Sequence, residues 1–184
     1  MENESVIKSV RQWVETVVVG LNLCPFAKRP LVKNRIRFYV TDAVTEEQLL
    51  SDLEAELNYL GRDLTVETTL LIHPKVLQDF YTYNQFLSTA DSLLSLMGME
   101  GVFQIASFHP DYQFGGTEPD DVENYTNRSP YPILHLIREE RLEQAIASYP
   151  DADLIPERNI ALLKRLGQGK IQALLQACFD DVDK

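Results

Sequence analysis

Three of the five cysteine and histidine residues in this chain, which has 2 Cys and 3 His, stand directly before a proline. They are Cys24, His73 and His109. A residue before proline is driven into an extended backbone conformation, so the position of each of these side chains is tightly constrained. Thiol and imidazole groups serve as nucleophiles, general bases and zinc ligands. The three residues are therefore the first candidates for chemistry.

The histidines predict general acid–base or metal chemistry. His109 is the expected base or metal ligand, supported by His73 and by Asp111, because an imidazole titrates near neutral pH. If a divalent metal such as zinc is bound, Cys24, His73 and His109 supply three suitable ligands and leave a fourth position for water. An alternative chemistry makes Cys24 a nucleophile and His109 its base.

The polar segment 111–131 is the expected ligand-binding loop. Arg128 precedes Ser129 and Pro130, which are typical of a helix N-cap and first helical residue. An arginine beside a helix N-terminus can bind a carboxylate or phosphate. Two glycines permit close approach of a ligand to the backbone, although they match no phosphate-binding pattern. The candidate ligand-binding residues are Arg128, Asn124, Asn127, Ser129, Gly115 and Gly116.

Hydrophobic periodicity predicts the elements that position these residues. Alternating or apolar runs indicate three strands, and helical spacing indicates an N-terminal helix, two crossover helices and three C-terminal helices. The predicted strands are 35–40, 64–72 and 102–108. The predicted helices are 4–20, 45–60, 76–97, 130–148, 157–166 and 170–179.

These elements predict a single α/β domain over residues 1–184. We expect a small layered domain with an N-terminal helix, a βαβαβ core with a three-stranded sheet, and C-terminal helices. Helices should lie mainly on one face, and the terminal helices should cover what the crossover helices leave open. His73 and His109 then lie at the carboxyl edge of parallel strands, where open α/β proteins bind ligands. Cys24 starts near the opposite edge unless its loop folds back.

The remaining histidine and cysteine, His135 and Cys178, are expected to be structural residues. His135 lies at the edge of the apolar stripe of the predicted helix 130–148, which is more typical of a boundary residue than of a catalyst. Cys178 falls within the apolar stripe of the last helix, where it is expected to behave as a small buried hydrophobe.

Charge and composition narrow the possible partners. The formal net charge is −11, from 28 acidic and 17 basic residues, which disfavours nucleic acids and anionic membrane surfaces as partners. No apolar run is long enough to span a membrane, and the N-terminus lacks the pattern of a secretory signal. Two cysteines far apart in sequence suit a reducing cytoplasm. We therefore expect a cytoplasmic protein whose partner is a small anionic metabolite.

The segments LNLCPFAKRP, LLIHP, SFHPDYQFGGTEPDD and NYTNRSPYPILHLIREE resemble an uncharacterised bacterial family, the domain of unknown function numbered 1415. The resemblance extends over nearly the whole chain. It implies a small bacterial cytoplasmic protein and no particular reaction.

Three functional hypotheses follow from the residues. The first is a hydrolase or transferase that acts on a small anionic metabolite through His109 and His73. The second is a non-catalytic regulatory domain that binds a small ligand or a protein through the 111–131 loop. The third is a thiol-dependent enzyme with Cys24 as its nucleophile. The sequence leaves the three open, together with the oligomeric state.

Overall fold

The computed structural model describes residues 2–180 and contains a four-stranded mixed sheet. The strand order is β1-β2-β4-β3, in which β1 and β2 are parallel and β4 is antiparallel to both β2 and β3. The first three strands therefore point in the same direction, as predicted. A fourth strand corrects the prediction of a three-stranded sheet. The strands are β1 (Ile36–Val40), β2 (Thr68–Ile72), β3 (Phe103–Phe108) and β4 (Ile133–Arg138).

Seven α-helices surround the sheet in the described part of the chain. The Thr45 side chain accepts a hydrogen bond from the Gln48 backbone N–H at the start of α3, and Asp79 caps α4 by accepting from Thr82. Each cap satisfies an otherwise free backbone donor. The helices are α1 (Glu2–Trp13), α2 (Lys28–Val32), α3 (Glu46–Arg62), α4 (Phe80–Leu96), α5 (Glu139–Ala147), α6 (Ile155–Leu166) and α7 (Gln168–Asp180).

The prediction of one helix over residues 130–148 is wrong for the first half of that segment. Strand β4 occupies this segment, and only α5 is helical. The apolar run Ile133–Ile137 suits a buried strand as well as a helix, and pairing on both sides between β2 and β3 decides in favour of the strand. Ser129 is therefore not a helix N-cap: its hydroxyl donates to the Tyr131 carbonyl oxygen at 2.6 Å.

Both faces of the sheet are covered by helices. On one face, α3 and α4 pack against alternate strand residues such as Leu71 and Leu134. On the other face, α1, α6 and α7 form a second cluster with residues such as Leu70 and Ile133. The terminal helices therefore cover the face that the crossover helices leave open, as expected, but the helices are divided between the two faces and do not lie mainly on one.

The N-terminal helix changes its hydrogen-bonding pattern after Trp13. Residues Val14–Val19 continue it as a π-helix, and Gly20 follows. A π-helical turn is rare and widens the helix locally. No helix in the described range 2–180 is long and apolar enough to cross a membrane.

Candidate functional site

A cavity of about 410 Å³ lies on the sheet face opposite α3 and α4. Its floor consists of residues from all four strands, and the strand register explains why they share one face. Thr68 pairs with Ile137, and His135 pairs with both Leu70 and Ala106. Directly paired residues project from the same side of a sheet. The volume lies within the range of small-molecule sites.

Three segments outside the sheet form the walls of the cavity. The π-helical end of the first helix, the loop that contains Cys24, and the inner side of α5 all contribute. No residue of α5 is fully buried, and an edge-to-face contact between Phe26 and Tyr149, at 5.5 Å between ring centroids, joins the loop to the chain after α5. Helix α5 therefore forms a wall of the cavity without burying any of its residues fully. The wall residues include Trp13, Cys24, Arg29, Arg141 and Ala145.

His135 places a hydrogen-bonding ring on the floor of this cavity. Its Nε2 atom lies 2.7 Å from the Thr68 hydroxyl oxygen, and that hydroxyl lies 2.6 Å from the Leu136 carbonyl oxygen. The carbonyl only accepts, so the Thr68 hydroxyl donates to it and His135 Nε2 must carry the proton that bonds to Thr68. Nδ1 is then an acceptor. Burial lowers the pKa of His135, which keeps the ring neutral near pH 7.

Trp13 lines the same cavity and carries an unused hydrogen-bond donor. The residue is 2% exposed, and its indole N–H has no hydrogen-bond partner among the described residues. Its ring packs edge-to-face on Phe108 at 5.2 Å, and Phe108 packs against His135 at 6.0 Å between centroids. Trp13 and His135 therefore flank one phenylalanine in the cavity lining.

The charged residues around the cavity lie at its periphery. Arg29 and Arg141 are exposed. Glu67 is paired with Arg35 at 2.9 Å. No lysine, arginine or carboxylate lies among the floor residues contributed by the four strands. The interior is therefore apolar, with neutral polar atoms.

Cys24 lines this cavity and not the edge that carries His73 and His109. Burial raises the pKa of its thiol, and this outweighs hydrogen bonds from the Phe26 and Ala27 backbone, which act in the opposite direction. The group is therefore a protonated thiol near neutral pH, which is a weak nucleophile.

His73 and His109 lie at the carboxyl edge of the sheet, as expected from the parallel strands. They flank the buried ring of Tyr83 on α4, at centroid distances of 5.7 and 5.0 Å. They share the α4 side with Leu71, because side chains two residues apart in a strand project to the same face. The cavity lies on the other face, so neither histidine is among the residues that line it.

The rings of both edge histidines are fully buried. His73 Nδ1 donates to the Val76 carbonyl at 2.9 Å, while its Nε2 has no partner among the described residues. His109 Nε2 donates to the Leu77 carbonyl at 3.1 Å, and its Nδ1 accepts the Asp111 backbone N–H at 3.0 Å. Burial lowers the pKa of His109, and that of His73 to about 4. Both rings stabilise the turns that follow their strands.

The predicted anion-binding arginine stabilises its own loop. Arg128 Nε donates to the Tyr112 carbonyl at 3.1 Å, and Nη2 donates to the Pro119 carbonyl at 2.7 Å. The guanidinium also stacks over the Tyr125 ring at 4.5 Å. Because no helix begins at Pro130, the expected pairing of Arg128 with a helix N-terminus is wrong.

The other loop candidates also have structural contacts. Asn124 is fully buried and accepts from the Phe114 N–H and the Thr117 hydroxyl while donating to the Glu118 carbonyl. Asn127 donates to the Ser107 carbonyl at 3.0 Å. The exposed pair Gly115 and Gly116 forms a turn in which Gly116 has a φ of 80°, a conformation that favours glycine.

A second, more open cleft of about 430 Å³ borders this loop. Asp111, Arg128 and Ser129 form one side of it, and residues of α7 such as Gln172 and Phe179 form the other. Part of the predicted ligand-binding set therefore lies beside a cleft, although the arginine is already bound to carbonyl groups.

The residues proposed as metal ligands do not converge. Within residues 2–180, no three His, Cys, Asp or Glu side chains are grouped so that they could hold a metal ion. Cys24 packs in the cluster on the cavity face, whereas His73 and His109 contact Tyr83 on the α4 face. The predicted zinc triad is therefore not formed.

Of the cavity residues, the sequence singled out Cys24, and it missed His135 because residues 130–148 were predicted to be a helix. The available signal for a buried strand was the short apolar run ILHLI, which follows Pro130 and Pro132 closely. Trp13 gave no comparable signal, because a tryptophan in an apolar helical stripe is ordinarily a core residue.

Comparison with known proteins gives a family without an assigned reaction. A family model described as "Protein of unknown function (DUF1415)" matches residues 5–173. No curated protein and no solved structure matches the chain significantly. The matched range contains all residues that line the cavity.

Proposed function

The chain belongs to the DUF1415 family of proteins of unknown function, and we propose that it binds a small, largely apolar organic molecule in the cavity between the sheet and α5. The observation that carries this proposal is the 410 Å³ cavity itself, whose lining combines apolar walls with a few neutral polar atoms. Such a combination is characteristic of small-molecule sites. Transfer of an apolar ligand from water into this space is favourable.

The geometry supports catalysis by His73 and His109 less well than it supports ligand binding in the cavity. Their rings are buried and bonded to backbone carbonyls, so they present no exposed nitrogen to a substrate. The raised pKa of Cys24 likewise argues against a thiolate nucleophile. Both cysteines are free, which fits the expected reducing cytoplasm of a bacterium.

A second candidate function uses the cleft beside the 111–131 loop. Asp111, Arg128 and Ser129 lie there next to α7, and an open polar cleft suits a peptide or a polar small molecule. The specific observation in its favour is that three residues selected from sequence line this cleft. If this reading holds, Arg128→Ala should abolish ligand stabilisation in a thermal-shift screen, while cavity variants leave it unchanged.

Filling the cavity tests the main proposal. Ala145 lines the cavity, whereas Ala147 on the same helix is exposed and does not. The neutral fluorescent probe N-phenyl-1-naphthylamine should bind the wild-type protein in a one-to-one ratio. Ala145→Trp should weaken this binding about tenfold or more, because the indole occupies the ligand space.

Ala147→Trp is the matched control and should bind the probe like the wild type. Circular dichroism should show that both variants keep the fold. Equal affinity in Ala145→Trp and Ala147→Trp, or no saturable binding to the wild type, would contradict the proposal.

A further inference from the structure

We infer that the ligand of this cavity is an apolar molecule with a neutral hydroxyl group, such as a phenol, which accepts a hydrogen bond from Trp13 Nε1 and donates one to His135 Nδ1. The inference rests on the proposed function and specifies the class of ligand. It follows from two residues that line the cavity, Trp13 and His135, each of which has a ring nitrogen that the described residues leave unpaired.

The donor is the indole N–H of Trp13. Almost every buried N–H group in a folded protein has a partner, because leaving it unpaired costs free energy. Trp13 is 2% exposed, its N–H has no partner among the described residues, and it lines the cavity. A ligand atom that accepts a hydrogen bond would satisfy this group.

The acceptor is the Nδ1 atom of His135. Nδ1 is the acceptor because the other ring nitrogen carries the proton: Nε2–H donates to the Thr68 hydroxyl at 2.7 Å, and that hydroxyl donates to the Leu136 carbonyl at 2.6 Å. No described residue bonds Nδ1, and the partly exposed ring lines the cavity. A ligand that presents a hydrogen-bond donor at this position would satisfy the atom.

The two atoms belong to side chains that pack on the same phenylalanine. Phe108 contacts the Trp13 ring at 5.2 Å and the His135 ring at 6.0 Å. Both side chains line the same cavity as Phe108, so one small molecule that fills the cavity can contact both. A hydroxyl group is the simplest group that both accepts and donates a hydrogen bond.

The electrostatics of the cavity favour a neutral group. A carboxylate would meet the lone pair of His135 Nδ1, and a buried charge without a partner is strongly unfavourable. An ammonium group would find Glu67 already paired with Arg35. Arg29 and Arg141 are exposed at the periphery, so they do not neutralise an anion at the floor.

Three probes of similar shape separate these possibilities. They are 2-naphthol, 2-methylnaphthalene without polar atoms, and the anion 2-naphthoate, each titrated by calorimetry at pH 7. The wild type should bind 2-naphthol at least as tightly as 2-methylnaphthalene and more tightly than 2-naphthoate. Trp13→Phe should weaken 2-naphthol binding about five- to tenfold and leave 2-methylnaphthalene within about twofold, because only the hydroxyl uses the N–H.

A measurement on the wild type keeps the test independent of the variant's folding. Trp13 is the single tryptophan of the chain, so its indole N–H gives one resonance in a ¹H–¹⁵N spectrum. This resonance should move further downfield with 2-naphthol than with 2-methylnaphthalene, whose aromatic rings produce the same ring-current shift. The difference isolates the hydrogen bond.

The outcomes also separate this inference from the proposed function. Equal indole shifts with the two neutral probes, or tightest binding of 2-naphthoate, would overturn the ligand class while leaving the cavity as a binding site. Failure of all three probes and of N-phenyl-1-naphthylamine to bind would overturn both.

Discussion

All three histidines of this protein are held neutral by burial, although they lie on different faces of the sheet. His73 and His109 are bonded to backbone carbonyls at the strand ends, whereas His135 lines the cavity and has one ring nitrogen without a partner among the described residues. The neighbours of each ring therefore determine its role. The same residue type stabilises turns at two positions and lines a candidate binding site at the third.

Histidines that stay neutral in the folded protein make stability depend on pH. The pKa of His73 and of His135 falls from its ordinary value near 6.5 to about 4 in the folded state, so between these values the unfolded chain binds protons that the folded chain does not. The contribution of these groups to the free energy of unfolding should therefore be constant above about pH 6.5. It should fall as the pH decreases towards 4. The loss from His73 should approach about 3 kcal/mol.

Urea unfolding between pH 7.5 and 4.5 measures this loss, and NMR titration of the histidine rings tests its cause. The rings of His73 and His135 should remain unprotonated at pH 5.5. A ring of either residue that titrates near 6.5 would contradict the assignment.

Part of this arrangement could be predicted at the residue level. The junctions His73-Pro74 and His109-Pro110, together with parallel strands, correctly indicated one shared sheet edge. The location of the cavity could not be predicted, because it depends on three segments distant in sequence that come together only in the folded chain.

At the level of elements, β4 shows where hydrophobic periodicity fails to distinguish a strand from a helix. Three strands and most helices followed from hydrophobic periodicity, because their patterns fit one element type. The run Ile133–Ile137 fits both types, and its pairing partners lie 25 or more residues away, as in the pair Phe108 and Ile133. The π-helix had no signal at all, because it differs from an α-helix only in its backbone hydrogen bonds.

The π-helical segment has a strict requirement at Gly20. A Cβ atom added there would overlap the backbone carbonyl of Thr16, and a backbone atom cannot move aside cheaply. Gly20→Ala should lower the free energy of unfolding by roughly 2 kcal/mol or more. It should also weaken N-phenyl-1-naphthylamine binding, because Val14 and Val18 of this segment line the cavity.

Gly61→Ala is the matched control for this prediction. A Cβ atom on Gly61 would meet nothing within 4 Å, and alanine is the better helix former in α3. Chemical denaturation should show unchanged or slightly raised stability for Gly61→Ala. A Gly20→Ala variant as stable as the wild type would show that the helix accommodates a side chain there.

At the level of the whole molecule, the sheet is shared by two hydrophobic clusters. Tyr83 belongs to the cluster on the α3 and α4 side, and Trp13 belongs to the cluster on the cavity side. Each strand contributes alternate residues to both. Loss of either cluster would therefore expose one face of every strand and remove much of the support for the other cluster.

This shared sheet predicts a single cooperative unfolding transition for the chain. Trp13 fluorescence should report the cavity-side cluster, and far-ultraviolet circular dichroism should report the whole chain. The two urea transitions should coincide in midpoint and in slope. A fluorescence transition at clearly lower urea would show that the cavity side unfolds first and that the two clusters are independent.

The position of β4 has a consequence for synthesis on the ribosome. In the described chain, β3 pairs in the sheet only with β4, and β4 also joins it to β2. As the nascent chain emerges, β1, α3 and β2 can associate early, but β3 has no neighbour until residues 133–138 have left the exit tunnel. Until then the edges of β2 and β3 that pair with β4 lack their backbone hydrogen-bond partners, so the last strand to be made is the one that completes the sheet.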